Sequence, residues 1–488
     1  MRVLMIVDNG IIGDSRVQKC AKSVSDFGNE VLLLGRDLGN PDVPVNMGAV
    51  KIARVPVDLF FSARRRKRKR QQQYNAKGPK LGIRSLLAYR NEQSVAIAKS
   101  RLNLRKYAIS NQKAEGKNAT LSSLLERLLV IGFAIRYRQY SNAWRRQLAS
   151  ETFKNKCELF FYKVSKNPIH LYHLSPSLYE FESAYLQPAI DFNPDVIHAH
   201  DFRMSGAGVR LADAIAKAGQ RRPKVIYDAH EFLEGISGFE PVDLQGFLLN
   251  EKVAAQRADT LITVSDEISS LLVNKYGLAN KPHVVLNAPQ VDPALTSSRS
   301  LRIDCGVSDD TPLGVYLGGL AAKRGISPVL SAMANVPELH FAFVANVTAY
   351  NDVFLKEASD LGVLDRVHIL PYVEPNEIVS YVSGASFGLA PYLHDINHEV
   401  SLPSKFYEYA CARLPIVGSD VAVVKHTIEK FQIGETFVAG DPITLELAIR
   451  KVINDLAHYE RNYSKAPVRS WSWEAQEDVL RKVYDSLK

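Results

Sequence analysis

Short, unbroken apolar runs recur along this chain, and each ends in a cluster of polar or small residues. RVLMIV (2–7) leads into the loop DNGIIGDS, then into apolar positions at helical spacing up to Gly28, and EVLLLG (30–35) is the second run. An unbroken run suits a strand of a parallel sheet covered on both faces, and strand–loop–helix–strand order is a βαβ unit. Asp14 or Ser15 is placed to cap a helix from about Arg16 to Gly28. The pattern then breaks. FSARRRKRKRQQQYN (61–75) cannot be core, and residues 121–144 carry apolar positions at helical spacing with arginines between them. The α/β pattern returns at DVIHAH (195–200), KVIYDAH (224–230), TLITVS (260–265) and HVVLNAP (283–289). After an aperiodic stretch at 290–311, a second series runs LGVYLGG (313–319), HFAFVAN (340–346), VHILPYV (367–373), FGLAPY (387–392), PIVGSD (415–420) and ETFVAG (435–440).

These runs predict an α/β protein of two successive Rossmann-like domains. The first spans 1–292, with a basic, largely helical insertion at 58–165. The second spans 293–470, and a last helix at 471–488 is free to pack back on the first domain. In such sheets ligands gather at the carboxyl ends of the strands. Those ends here carry His198, His200, Asp201, Asp228, His230, Glu231, Ser265 and Asn287.

Charge changes this picture in one place. The chain of 488 residues carries a net +9. Residues 61–148 hold 22 Lys or Arg against three acids (Glu92, Glu115, Glu126), a net +19, so the remainder carries −10. A basic segment on an otherwise acidic fold points to a local anionic partner, and an anionic membrane surface at 61–148 is the expected one. A nucleic-acid reading is disfavoured, because the cation run RRRKRKR (64–70) lacks interleaved aromatics. The four cysteines (Cys20, Cys157, Cys305, Cys411) form no CxxC pair, which argues for a reducing compartment. The N-terminus reads as a first strand and not a signal peptide, and no stretch has the ~18 apolar residues of a membrane span. A cytoplasmic protein, resting on the inner membrane face through its basic segment, is expected.

Two stretches of the second half have the makings of an anion site. In EVSLPSKFYEYACARLP (399–415), Pro403 opens a helix whose unpaired N–H groups suit a phosphate. Lys405 sits in the first turn, where a cation opposes the helix dipole unless an anion is bound, and Glu408, one turn on, is placed to accept two ribose hydroxyls. An ordinary surface helix with a Lys–Glu pair fits the same residues. In YLGGLAAKRGIS (316–327), Gly318 and Gly319 let a backbone approach a ligand, and Lys323 and Arg324 are placed to neutralise a diphosphate; a turn with a solvated cation pair fits as well. His394 and His398 are four apart, but Asp395 follows the first and the segment reads as a loop, so a zinc site is not expected. Sugar or acceptor contact is the expected role of His398 and Glu399. Asp14 and Arg16 have the same two readings, substrate contact or cap and structural arginine, and His200 and Asp201 are further possible contacts.

Taken together, YLGGLAAKRGI, ILPYVEPNEIVSYVSGASFGLAPY and LPSKFYEYACARLPIVGSD resemble the GT-B glycosyltransferases of family 4, also called glycosyl transferases group 1. DSRVQKCAKSVSDFGNEVLLL, PDVIHAHD, VIYDAHEF and ADTLITVS extend the resemblance to the first half, leaving out roughly 58–180. The resemblance implies transfer of a sugar from a nucleoside-diphosphate sugar to a glycan or lipid-linked acceptor, such as one of cell-envelope polysaccharide synthesis. It implies retention at the anomeric carbon, no metal and no cofactor. It matches His230 to a histidine near the transferred sugar and Arg324 and Lys405 to the diphosphate and leaving-group contacts. Glu408 falls on the ribose carboxylate, Leu402 and Pro403 on the helix start, Val373 on the nucleobase loop, and Gly13 on the first-domain loop facing the donor, with Gly318 and Gly319 beside the phosphates.

The chain also departs from the pattern. Many members have a second glutamate eight residues before the ribose carboxylate; here Val400 stands there and Glu399 is nine back. Gly319 stands where other members have Arg, and Ala345-Asn346 replaces a commoner glycine pair. These departures keep open a second reading, a catalytically weak GT-B-like binding partner in a cell-envelope glycan assembly.

Overall fold

The computed structural model describes residues 1–39, 47–63, 131–132, 134–135, 138, 156–165, 167–236, 239, 241–291, 297, 299–321, 324–345 and 350–488, Pro241 by its backbone alone. The cation run 64–70, the apolar stretch 121–144 for all but five residues, Lys323 and Asn346 lie outside the described residues. The chain forms two compact units. One comprises Met1–Val55, Leu186–Ile236 and Glu251–Lys488; the other comprises Pro56–Tyr185 and Ser237–Asn250.

The first unit holds two parallel sheets. In chain order the strands are β1 (Arg2–Ile6), β2 (Glu30–Asp37), β3 (Lys51–Pro56), β4 (Val196–His200), β5 (Lys224–Ala229), β6 (Thr260–Thr263) and β7 (His283–Val284). The second series is β8 (Leu313–Leu317), β9 (His340–Val344), β10 (Val367–Leu370), β11 (Phe387–Ala390), β12 (Ile416–Ser419) and β13 (Gly434–Phe437). Their orders are β3-β2-β1-β4-β5-β6-β7 and β10-β9-β8-β11-β12-β13. In each sheet the order reverses beside the first strand, between β1 and β4 and between β8 and β11. Crevices for ligands open outside the strand ends at these switch points.

The apolar runs explain the strands directly. β1, β4, β8 and β11 are central, and nearly every residue in them is buried. Registers such as Met5 with His198 and Gly388 with Val315 bring the central strand ends level with one another. β3 was not foreseen: KIARVP occupies an edge and is only partly buried, so its apolar signal is weak. The helix Ser15–Asp26 begins where expected, with the Asp14 carboxylate accepting from Val17 N–H at 3.2 Å.

The C-terminal helix Trp473–Asp485 belongs to the core of the first sheet. Trp473 is fully buried among Val17, Ala21, Leu33 and Leu480, and its indole donates to Ser23 Oγ at 2.9 Å. Tyr484 on the same helix reaches His198 of β4, with oxygen and Nδ1 2.9 Å apart. Among the described residues no helix is long and apolar enough to cross a membrane.

The helices of the second unit include 156–165 and Pro168–Leu174, the latter capped by Asn167, which accepts from Ile169 N–H. The Ser62 hydroxyl and N–H both donate to Glu180, and Glu158 holds His170 and His173 at 2.8 and 3.2 Å. Phe60, Phe61, Phe160, Phe161 and Val164 are exposed.

Candidate active site

The ends of both sheets in the first unit surround a cavity of about 490 Å³. The first sheet contributes Gly13 and Ser15 after β1, His230 and Glu231 after β5, and Asn287 after β7. The second contributes Gly318, Gly319 and Arg324 after β8 and Tyr372 and Val373 after β10. Leu402, Pro403, Lys405 and Glu408 close it from the helix Ser404–Cys411.

That helix is anchored by close packing. The ring of Tyr409 lies so near Gly388 that a Cβ there would come within 2.3 Å of it, so β11 must carry glycine at this point. The Tyr409 phenol accepts from Leu317 N–H at 3.0 Å, which pins the helix to the end of β8. Pro403 is the cap in extended conformation, so the helix starts at Ser404, one residue later than the sequence suggests. No side chain caps this helix start. Its N–H groups and its partial positive charge therefore face the cavity beside Leu402 and Pro403.

Lys405 is 7% exposed, with Nζ 4.0 Å from the ring centre of Tyr316 and 5.1 Å from that of Tyr392. Aromatic faces hold a cation in place without neutralising it. Gly318, at φ +123°, passes so close that a Cβ there would sit 3.5 Å from Lys405 Nζ. Burial, and next to it the charge of Arg324, push Lys405 down to about 7, against the pull of Glu408. Burial likewise raises Glu408, opposed by Lys19 and Lys405. Lys405 is thus held below the usual ammonium range mainly by its own burial, with Arg324 adding to the shift and Glu408 opposing it.

His230 stands across the cavity. Its Nε2 is 3.3 Å from Asp228 Oδ2, and Asp228 is itself buried and paired with Arg16. Burial lowers His230, but the Asp228 charge and hydrogen bond outweigh it and bring the ring to about 8.

The structure brings together His230, Arg324, Lys405, Gly13, Gly318, Gly319, Val373, Leu402, Pro403, Glu408 and His398 around this cavity. Asp14, Arg16, His200, Asp201 and Glu399 do not line it. Asp14 caps its helix and accepts from Asn9 Nδ2 at 2.7 Å. Arg16 and His200 are buried against Asp228. Asp201 has a left-handed backbone (φ +66°), and its carboxylate accepts from Phe202 N–H.

The segment read as a loop at 394–399 contains a short helix, Ile396–Val400, because Asp395 caps it by accepting from Asn397 N–H. That turn separates the two histidines. His394 pairs with Glu399 and Asp420, while His398 Nδ1 donates to Leu393 O at 2.8 Å. Glu399 also accepts from Ala422 N–H at 2.7 Å, so its carboxylate serves the neighbouring helix start.

Four cavity-side residues escaped the sequence reading. Asn397 accepts from Phe232 N–H at 2.8 Å and donates to Phe232 O at 3.1 Å, tying the two halves of the first unit at the cavity wall. Tyr316 has a buried hydroxyl without a partner among the described residues. Tyr392 flanks Lys405. Lys19 is buried near Glu408, with Nζ 2.5 Å from Ala288 O. Lys19 carries no local signal, because its helix, SRVQKCAKSVSD, is rich in polar residues and holds a further cation in Lys22.

The Glycosyltransferase Family 4 model matches residues 138–292, and the Glycosyl transferases group 1 model matches 299–468. The chain is 21% identical over 312 residues to a glycogen synthase of Mycobacterium tuberculosis, covering 61% of this chain and 70% of that one. It is 25% identical over 225 residues to the putative teichuronic acid biosynthesis glycosyltransferase TuaH of Bacillus subtilis, covering 44% and 55%. Among solved structures, sucrose-phosphate synthase from Thermosynechococcus elongatus superposes with a TM-score of 0.63 at 14% identity, covering 100% of this chain and 99% of that one. Anabaena HepE in complex with UDP-glucose superposes with a TM-score of 0.59 at 12% identity, covering 100% of both. The fold they share is GT-B. The chain belongs to the retaining glycosyltransferases of family 4, the glycosyl transferases group 1, which use nucleotide sugars.

Proposed function

We propose that the protein moves a hexosyl group from a nucleoside-diphosphate sugar to a glycan or lipid-linked acceptor, with retention and without a metal. The observation that carries this reading is the convergence in one cavity of Arg324 with an uncapped helix start that also bears Lys405 and, one turn on, Glu408. Glu408 accepts the ribose hydroxyls, and Val373 lies beside the nucleobase. Gly318 and Gly319 pass the phosphates, Arg324 and Lys405 meet the β-phosphate, and His230 and Gly13 face the sugar. Residues 1–292 serve the acceptor and 293–470 the nucleotide sugar. Because HepE was solved with UDP-glucose, UDP-hexoses are the first donors to try.

In this mechanism the bond from the anomeric carbon to the β-phosphate oxygen breaks as the acceptor oxygen bonds on the same face. The acceptor proton passes to the departing phosphate oxygen, so no separate protein base is needed. Charge grows on the β-phosphate, where fixed cations and helix N–H groups stabilise it most. Arg324→Ala and Lys405→Ala are expected to lower kcat while sparing the affinity for UMP. Glu408→Ala is expected to weaken UMP by about 1.5–3 kcal/mol, the worth of a hydrogen bond to a charged group. Calorimetric binding of UMP and UDP to the three variants checks this. Equal loss of UMP binding in all three contradicts the assignment.

The basic segment 61–148 is read as a dock for an anionic membrane on the cytoplasmic face. Supporting this, the exposed Phe60 and Phe61 come just before the seven cations at 64–70, and Phe160 and Phe161 are exposed in the same unit. Cations near an anionic surface contribute about 1 kcal/mol each, and aromatic rings seat at its interface. Sedimentation with phosphatidylglycerol vesicles, reversed by high salt and weakened by neutralising 64–70, is expected. Equal binding to neutral vesicles contradicts the electrostatic part.

A further inference from the structure

Three imidazoles surround one carboxylate behind the cavity wall. Arg16 fixes that carboxylate: Nη2 and Nε donate to the two oxygens of Asp228 at 2.7 and 3.0 Å, and Nη1 donates to Val285 O at 2.8 Å. Both side chains are buried. His200 Nδ1 and His230 Nε2 approach Asp228 Oδ2 at 3.3 Å each, and His198 Nε2 stops at 3.9 Å. The His198 and His200 rings stack with centres 4.1 Å apart.

The three rings are not equivalent. Burial holds His198 and His200 below the usual imidazole range. Each also has a buried Nε2 without a partner, so a second proton on either ring would be left unsolvated. His230 alone reaches the cavity, and its Nδ1 has no protein partner among the described residues. Arg16 cancels the charge of Asp228, so a proton on His230 leaves one positive charge facing the cavity. The other groups around the ring are Asp201 at the start of the helix after β4, raised to about 7 by burial, and Glu231 at the cavity rim. Arg16 comes from the first helix, and His200 Nδ1 lies 3.4 Å from the ring's own Nε2. The packed Asp228, not these more distant carboxylates, makes contact with the ring.

We propose that Asp228 is a positioning residue for His230: clamped by Arg16, it holds the ring through Nε2 as an imidazolium, so that Nδ1 donates to an anionic oxygen of the donor. That oxygen belongs either to the β-phosphate or to a carboxylate on the sugar. This rests on the nucleotide-sugar reading above. A neutral ring held the same way would offer Nδ1 only as an acceptor for a sugar hydroxyl. The protonated ring instead adds a third cation to Arg324 and Lys405 in a cavity where Gly319 supplies no side chain.

Ring-nitrogen NMR of the full chain, with His230 assigned by His230→Gln, tests the proposal without requiring turnover. His230 is expected to titrate near 8 in the free protein. Asp228→Asn should move it below 6.5, the ordinary value, while Arg16→Met, which removes a competing cation, should move it up. A merely structural pair would not shift the ring in opposite directions. Adding UDP but not UMP should raise it further if the β-phosphate is the partner. A rise confined to UDP-glucuronate over UDP-glucose assigns the carboxylate instead. Titration of the wild-type ring at or below 6.5 overturns the proposal whatever the enzyme transfers, and because it needs only wild-type protein it stands even if both variants fail to fold. Titration near 8 with no response to any diphosphate overturns the donor contact. If none of UDP, ADP, GDP, CDP and dTDP binds by calorimetry, the nucleotide-sugar reading falls with it.

Discussion

Two groups in the cavity sit close to neutrality for opposite reasons. Lys405 is pushed down to about 7, chiefly by burial, and His230 is lifted to about 8 by Asp228 against its own burial. A bound diphosphate favours the charged form of both. At pH 8 the empty site therefore lacks much of the proton on Lys405 and part of that on His230, and binding UDP should take up about one proton. At pH 6 both are already charged and uptake should vanish. Calorimetry at each pH in buffers of different ionisation enthalpy reads this directly; buffer-independent heats at pH 8 contradict it. The linkage to stability has the opposite sign for the two groups. His230, raised above its unfolded value, stabilises the fold fully below about pH 6.5 and loses this as pH rises through about 8. Lys405, depressed, costs most below about 7 and nothing once its unfolded value is passed.

At the scale of elements, two distant stretches of chain meet. The helix Trp473–Asp485 closes the first sheet, although it follows the last strand of the second. Trp473 is its anchor, fully buried and hydrogen-bonded to Ser23. Trp473→Ala should cost about 3–5 kcal/mol, the usual loss for a large buried aromatic. Denaturant unfolding measures it, and a loss under 1 kcal/mol shows that the helix is peripheral. Such pairings mark where the sequence is legible. RVLMIV, LGVYLGG and the other unbroken runs announce central strands because burial on both faces leaves no polar position. KIARVP does not, since an edge strand faces water along one side. The turn Ile396–Val400 is too short for periodicity to register, and only Asp395 hints at its cap. Glu408, Lys405 and Arg324 are readable because each lies in a local motif. Asp228 and Lys19 are not, because their meaning comes from partners more than two hundred residues away, Arg16 for one and Ala288 for the other.

For the molecule as a whole, the two parallel sheets of the first unit present their switch points to one cavity, and the side chains there come from both. Asn397 bonded to Phe232 and Ser265 bonded to Val400 O fasten the halves beside it. Under the proposed function, a donor held between these halves leaves electrostatic stabilisation of the departing diphosphate as the main chemical task. The most direct measurement is proton NMR of donor hydrolysis, using a panel of α-linked nucleoside-diphosphate sugars headed by UDP-glucose, in the presence of EDTA. At least one donor should be cleaved, the free sugar should first appear as the α-anomer, and Arg324→Ala should abolish the signal in a folded protein. A β-anomer formed first, or cleavage that stops when EDTA is added, would contradict the proposed mechanism.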